Sequence, residues 1–335
     1  MTAAATRQAS APSKILAILI SDVLGAVINL FVGPAVLPPG SNVTLGRSTL
    51  QVGDITVRAD WYFPKSQEPP TGVIYFQHGA FAATSLYSYT AAALAERTNS
   101  IVVLPTMSAG VRRDGYWLGG AELQMATADL FGGDRAALTA SASAAARHPV
   151  TLPQNFVLVG HSNGGAFVTA VAGDLFEKGT TDGLKGVVLF DPSATAGQED
   201  QISESLTHIP DALPVLMMGS PPYFWNEYGD GADALVAARP GEFVGVILDH
   251  GTHVDYMQGA RGLVRLVTYL VAGFARPENV EAVKVMASGW ITDMLKPSHD
   301  GIYATPGQTI QIDTAAGTAT AAALGEPAPS VALTA

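Results

Sequence analysis

The chain of 335 residues contains no cysteine. Disulfides, cysteine nucleophiles, thiolate metal sites and thiol redox chemistry are therefore excluded, although no compartment follows, because an exported protein can dispense with disulfides. Charge is scarce at 14% of residues, and positive charge scarcest: 18 Lys and Arg face 29 Asp and Glu, a formal net charge of -11. So few cations cannot track a phosphate backbone and release its counterions, so nucleic acid is not an expected partner. Gly-x-Gly patterns suited to phosphate or dinucleotide binding are missing after the first core strand, and no cofactor is expected. No convincing metal cluster occurs either. His250 and His253 with Asp255 have ligand-like spacing but do not make a convincing ligand set.

Hydrophobic residues make up 48% of the chain, enough for a large core. They begin with an apolar run from Ile15 to Gly33, interrupted by Ser21, Asp22, Gly25 and Asn29 on a narrow helical stripe. Three readings stay open for it: a helix packed on the domain or a partner, a signal or signal anchor, and a helix lying in a membrane interface. Asp22 near mid-span weighs against a spanning helix. Membrane association or export is favoured slightly over a cytoplasmic location, and residues 1–40 are set apart as an N-terminal extension ending at a Pro-Gly breaker.

From Val43 the pattern changes to strands. A hairpin is expected around Gly53-Asp54, and buried strands at Val73–Phe76, Ser100–Pro105, Asn155–Gly160, Gly186–Phe190, Pro214–Gly219 and Phe243–Leu248. Crossover-length segments separate them: a helix over Tyr89–Arg97, an Ala-rich helical tract over Ala121–Arg147 with a break expected at Gly132-Gly133, and a helix opening at Gly164. Two more helices are expected after Gly259 and over the run that ends at Lys296-Pro297. Residues 41–298 are thus expected to form one domain. Residues 299–335 are expected to be a low-complexity tail, with one edge strand at TIQIDT and mobile chain beyond Thr314.

The motif richest in chemistry is LVGHSNGG, Leu158 to Gly165, which contains G-x-S-x-G centred on Ser162. It falls where a buried strand meets a helix. A serine at such a turn projects its hydroxyl, and Gly160 and Gly164 let strand and helix pass without Cβ clashes. The amide of Asn163, at the helix N-terminus, is placed to donate to a developing oxyanion. A second donor is expected after the upstream strand, in FQHGAF: Ala80, with Phe81 the alternative. His78 there reads as a structural residue under the loop, and His161 as pocket wall or packing.

A base must come from a late strand end. DHGTHVDYM offers His250 and His253, and His253, further out on the loop, is preferred. For the acid, Asp191 directly follows the strand GVVLF, whereas Glu227 and Asp230 lie several residues past the next strand, within an aromatic loop. Asp191 is preferred and the other two stay open. Asp249 and Asp255 are read as turn or supporting residues.

In this order of nucleophile, acid and base, Ser162, Asp191 and His253 resemble an α/β-hydrolase triad, the likeness extending over roughly Gly53 to Phe274. The resemblance implies an α/β fold with a mostly parallel eight-stranded sheet flanked by helices, a covalent acyl-enzyme, and ester hydrolysis without a cofactor. An acid after the sixth strand is similar to that of chlorophyllases and pancreatic-type lipases, and HVD at His253–Asp255 resembles the catalytic-histidine segment of chlorophyllases. The short insertion between Asp191 and Pro214 leaves no room for a large cap domain. The expected substrate is a small-molecule or lipid-like ester with an apolar acyl or alcohol group, bordered by aromatic stretches at Phe81–Tyr89, Tyr116–Leu118 and Tyr223–Tyr228. A serine acyltransferase using the same triad and a non-catalytic membrane-associated scaffold are the alternatives.

Overall fold

Valine, isoleucine and aromatic residues concentrate in short runs with no polar face, and such runs are stable only when helices cover both sides of the sheet they build. A computed structural model of the chain describes residues 33–326 except 81, 111, 195–196, 260–265, 267–268 and 271. The apolar run at 15–32 therefore lies outside the described residues, as does much of the helix expected after Gly259. No described helix is long and apolar enough to cross a membrane.

The strands are β1 (Val43–Val52), β2 (Ile55–Pro64), β3 (Val73–Gln77), β4 (Ile101–Pro105), β5 (Phe156–His161), β6 (Leu184–Phe190), β7 (Val215–Gly219), β8 (Gly245–Leu248), β9 (Thr309–Thr314) and β10 (Gly317–Leu324). They form a single ten-stranded sheet in the order β1-β2-β4-β3-β5-β6-β7-β8-β10-β9, two strands more than the eight expected because the β9–β10 hairpin adds to the β8 edge. The six strands from β4 to β8 in that order run parallel, while β1, β2, β10 and β9 join antiparallel. The hairpin expected at Gly53-Asp54 is present, with Val52 opposite Ile55.

Alternation along each central strand divides the core between the sheet's two faces. Tyr75, Leu158 and Leu189 point to one side, where they meet α2 (Ala121–Asp129), α3 (Ala136–Ala146), α4 (Asn163–Glu177), α5 (Gln201–Leu206) and α6 (Asp230–Ala238). Ile74, Val157 and Val188 point to the other, under α1 (Ser88–Thr98) and α7 (Pro277–Leu295), which buries Trp290. Among the described residues between β6 and β7 the one helix is α5, and they hold no large cap domain.

The expectation of a mobile tail past Thr314 is corrected. TIQIDT does form the edge strand β9, but Gly317–Leu324 turns back between it and β8, pairing Ala321 with Leu248 on one side and Ile310 on the other. Low complexity concealed a two-residue period: Ala319, Ala321 and Ala323 are buried, and their small side chains allow α7 to approach the sheet. Thr318 and Thr320 on the opposite face donate hydroxyls across the hairpin to Asp313 and Gln311.

Candidate active site

Parallel strands that end together bring their following loops to one edge, where four segments of this chain carry the candidate residues and a fifth, after β7, braces them. The first is the turn from β5 into α4. Ser162 has φ +56°, a left-handed conformation that costs a non-glycine residue of order 1–3 kcal/mol and persists only where its surroundings impose it. Those surroundings are two glycines. A Cβ on Gly160 would lie 2.1 Å from the Gly164 carbonyl oxygen, and one on Gly164 would lie 2.4 Å from that of Gln77. The elbow is thereby pressed against β3, and Ser162 is 9% exposed. Its Oγ shares a hydrogen bond with Ser193 Oγ at 3.2 Å. Asn163 is the first residue of α4, so its N–H is one of the four that a helix cannot satisfy internally.

The second segment is the loop after β3. It abuts the elbow so closely that a Cβ on Gly79 would be 2.8 Å from Ser162 Cβ. Ala80 follows it, partly exposed, while the alternative donor Phe81 lies outside the described residues. His78 faces inward. Its Nε2 accepts from Met107 N–H at 3.0 Å and its Nδ1 donates to the Gly79 carbonyl at 2.8 Å, while burial lowers its pKa. A neutral, doubly bonded histidine of this kind shapes the loop, as its structural reading anticipated.

The third segment follows β6. Asp191, 1% exposed and itself at φ +42°, collects four donors. Oδ1 accepts from Ser220 N–H at 2.8 Å and Asn226 Nδ2 at 3.2 Å, and Oδ2 accepts from Ser220 Oγ at 2.8 Å and His253 Nδ1 at 2.7 Å. Pro192 turns the chain and packs against Gly165, whose Cβ would sit 2.8 Å from it. Asn163 Nδ2 then donates to the Ser193 and Ala194 carbonyls, closing this segment around Ser162.

The fourth follows β8. Asp255 accepts from Thr252 N–H and Thr252 Oγ1, at 2.9 and 2.8 Å, and so folds the turn that carries His253 inward. Burial, helped by the nearby Asp191, pushes the Asp255 carboxyl up to about 7. His253 is 6% exposed, its N–H donating to Tyr223 Oη at 2.5 Å. His250, the other candidate base, points outward at φ +50° and pairs with exposed Asp249 at 3.5 Å. Of the alternative acids, Glu227 sits at φ +49° in the turn after β7 and Asp230 opens α6, while the carboxylate on the His253 ring belongs to Asp191.

The aromatic stretches divide. Trp117 and Leu118 are buried in the core, whereas the 223–228 turn borders the site, with the Trp225 ring 6.4 Å from that of His253 and Phe224 and Tyr228 exposed. The hydrogen bonds that Ser193, Ser220, Asn226 and Tyr223 make to Ser162, Asp191 and His253 were not anticipated. Only Ser220 carried a signal, as a small polar residue immediately past the end of β7. Among the described residues no cluster of His, Asp and Glu has the geometry of a metal site.

No protein-family model and no curated protein matches the chain. Similar solved structures include a thermostable esterase from Pseudomonas putida ECU1011, at 14% identity and TM-score 0.53, covering 83% of this chain and 90% of that one. A carboxyl esterase from the mycorrhizal fungus Tuber melanosporum shows the same identity and TM-score, over 83% of this chain and 98% of its own. An esterase from the archaeon Pyrobaculum calidifontis aligns at 14% identity and TM-score 0.51, over 82% and 88% respectively. The fold is the α/β-hydrolase fold. At this identity the likeness concerns the fold alone.

Proposed function

We propose that the chain is a serine hydrolase that cleaves a carboxylic ester through an acyl-enzyme on Ser162. The observation that carries this reading is the buried 2.7 Å pair of Asp191 and His253, set on the edge where Ser162 occupies a strained elbow. Asp191 accepts from Nδ1 and so keeps His253 Nε2 bare to act as base. The Ser162 hydroxyl turns from Ser193, gives its proton to Nε2, and its oxygen attacks the ester carbonyl. The oxyanion is held by the amides of Asn163 and Ala80. Collapse breaks the bond to the alcohol, which leaves with the proton from His253. Water, deprotonated in turn by His253, attacks the acyl carbon, and Ser162 recovers its proton as the acid departs.

Trp225, Phe224 and Tyr228 beside His253 favour an apolar acyl or alcohol group. The acid at the end of the sixth strand, with HVD at the base, supports a chlorophyllase-like arrangement within the fold. The test is Ser162→Ala: a fluorophosphonate is expected to label the wild type and not the variant, and ester turnover to disappear while thermal unfolding is kept. Equal labelling of the two proteins removes Ser162 from the mechanism. Turnover with added alcohols reports whether water or a second alcohol receives the acyl group.

A further inference from the structure

We infer that His161 is a positioning residue: with Tyr87 it forms a buried hydrogen-bonded strut that fixes the loop carrying the oxyanion donor against the loop carrying the base. This rests on the serine-hydrolase reading of Ser162 and His253.

His161 is the last residue of β5, directly before the nucleophile, and is 1% exposed. Its Nε2 bonds to the His253 carbonyl oxygen at 2.9 Å, and its Nδ1 to Tyr87 Oη at 2.8 Å. Tyr87 Oη also accepts from Gly79 N–H at 3.2 Å. The direction of every bond is forced. A carbonyl only accepts, so Nε2 bears the hydrogen, and a neutral imidazole then offers Nδ1 as an acceptor. Tyr87 must donate to it, which leaves the phenol oxygen for the Gly79 amide. Burial, reinforced by the adjacent His253, lowers the His161 pKa well below its ordinary value, so the ring stays neutral and in one tautomer.

The ends of this chain of bonds are what give it a role. Gly79 precedes Ala80, and the carbonyl at the other end belongs to His253 itself. Three bonds thus span from the loop after β3 to the loop after β8, passing behind the elbow of β5. The His161 ring also lies 4.4 Å from the His253 ring and 5.5 Å from those of Tyr87 and Tyr256. Tilted ring contacts of this kind hold rings together but tolerate rotation and sliding. Directional hydrogen bonds supply the register that a base and an oxyanion donor need relative to one carbonyl carbon, where small misplacements are costly. A phenylalanine at 161 would fill the space and leave the Tyr87 hydroxyl and the His253 carbonyl without their shared partner.

The experiment uses the full chain with Tyr87→Phe, His161→Phe, His161→Gln and the Tyr87→Phe/His161→Phe double variant. Each Phe variant is expected to lower kcat about 10- to 100-fold with KM changed less than about threefold, the scale of one or two lost hydrogen bonds expressed in the transition state. The rate of fluorophosphonate labelling at Ser162 falls in parallel. The double variant is no worse than the weaker single one, because breaking the strut once disconnects it. His161→Gln keeps an N–H for the His253 carbonyl and recovers part of kcat. Tyr87→Phe removes one oxygen and preserves the ring, so it reads the strut even where His161→Phe fails to fold. The inference is overturned if labelled, folded Tyr87→Phe keeps kcat within about threefold of wild type, or if the two losses multiply. A wild type that cannot be labelled at Ser162 overturns the hydrolase reading and the strut with it.

Discussion

Replacing Asp191 with asparagine tests the site at its most heavily bonded point. The carboxylate accepts four hydrogen bonds, two on each oxygen. An amide has one oxygen and one NH₂, so one pair of donors must be refused. If the NH₂ takes the place of Oδ1, it faces the Ser220 amide and the Asn226 side chain, neither of which can turn into an acceptor without moving. If it takes the place of Oδ2, the Ser220 hydroxyl reverses to accept, and the His253 ring answers by giving up its Nδ1 proton. The second arrangement keeps the fold and ruins the base, because the imidazole hydrogen now sits on Nε2, where the Ser162 proton must go. Asp191→Asn is therefore expected to lower kcat by about 10³- to 10⁴-fold, or about 4–5 kcal/mol of barrier, with thermal unfolding nearly unchanged. Glu227→Gln and Asp230→Asn, which alter a turn and the start of α6, are expected to cost about tenfold or less. Turnover of an activated ester by the three purified variants decides the matter. Near-normal kcat in Asp191→Asn, with loss in either of the others, would move the acid to the loop after β7 and refute the reasoning.

Two further outcomes follow from burial. Asp255 has its carboxyl raised to about 7 in the folded chain, so its contribution to stability is complete at pH below about 4 and is lost as pH rises through about 7. Unfolding free energies measured from pH 5 to pH 8 are expected to fall for wild type relative to Asp255→Asn by about 2.5 kcal/mol, and parallel curves would show that this carboxyl titrates normally. Ala321 on β10 is 1% exposed, so Ala321→Asp is expected to destabilise the chain by about 3 kcal/mol or more in denaturant unfolding, whereas a mobile tail would leave the midpoint unmoved.

What could be read in advance depended on how local its cause was. The elbow at Ser162 is a five-residue steric problem, and its strand, glycines and helix are contiguous in the chain. The meeting of Asp191 with His253 was legible because each follows a buried strand at the edge where Ser162 emerges. The residues that hold them were not. Ser193 reaches Ser162 across 31 positions, Ser220 reaches Asp191 across 29, and Tyr87 reaches His161 across 74. Their residue types are common, and no spacing rule singles them out. The error at β10 has a different origin. Alanine is a weak marker of burial, and a strand of alternating Ala and Thr carries its period only once α7 and β8 are seen to cover one face.

Backbone strain gathers at one edge of the sheet, the edge that carries Ser162. Eight described non-glycine residues have positive φ. Asn99, Arg135 and Arg147 flank helix ends, where a left-handed residue commonly closes or opens a helix. The other five, Ser162, Asp191, Glu227, Tyr228 and His250, all lie in the segments that follow β5, β6, β7 and β8. Nothing in forming a parallel sheet requires strain there, since the same strands enter from their opposite ends through ordinary loops. Of the five, only Ser162 and Asp191 are deeply buried, and both are clamped: Ser162 by the glycine contacts with β3, Asp191 by four hydrogen bonds. A conformation that costs energy and is held on two sides keeps a hydroxyl and a carboxylate aimed where relaxed turns would not. The imidazole fixed to that carboxylate sits on a turn which Asp255, Tyr223 and His161 hold from three directions. The rigidity of this edge is therefore distributed over five strand ends, β3 included, and no single loop has to supply it.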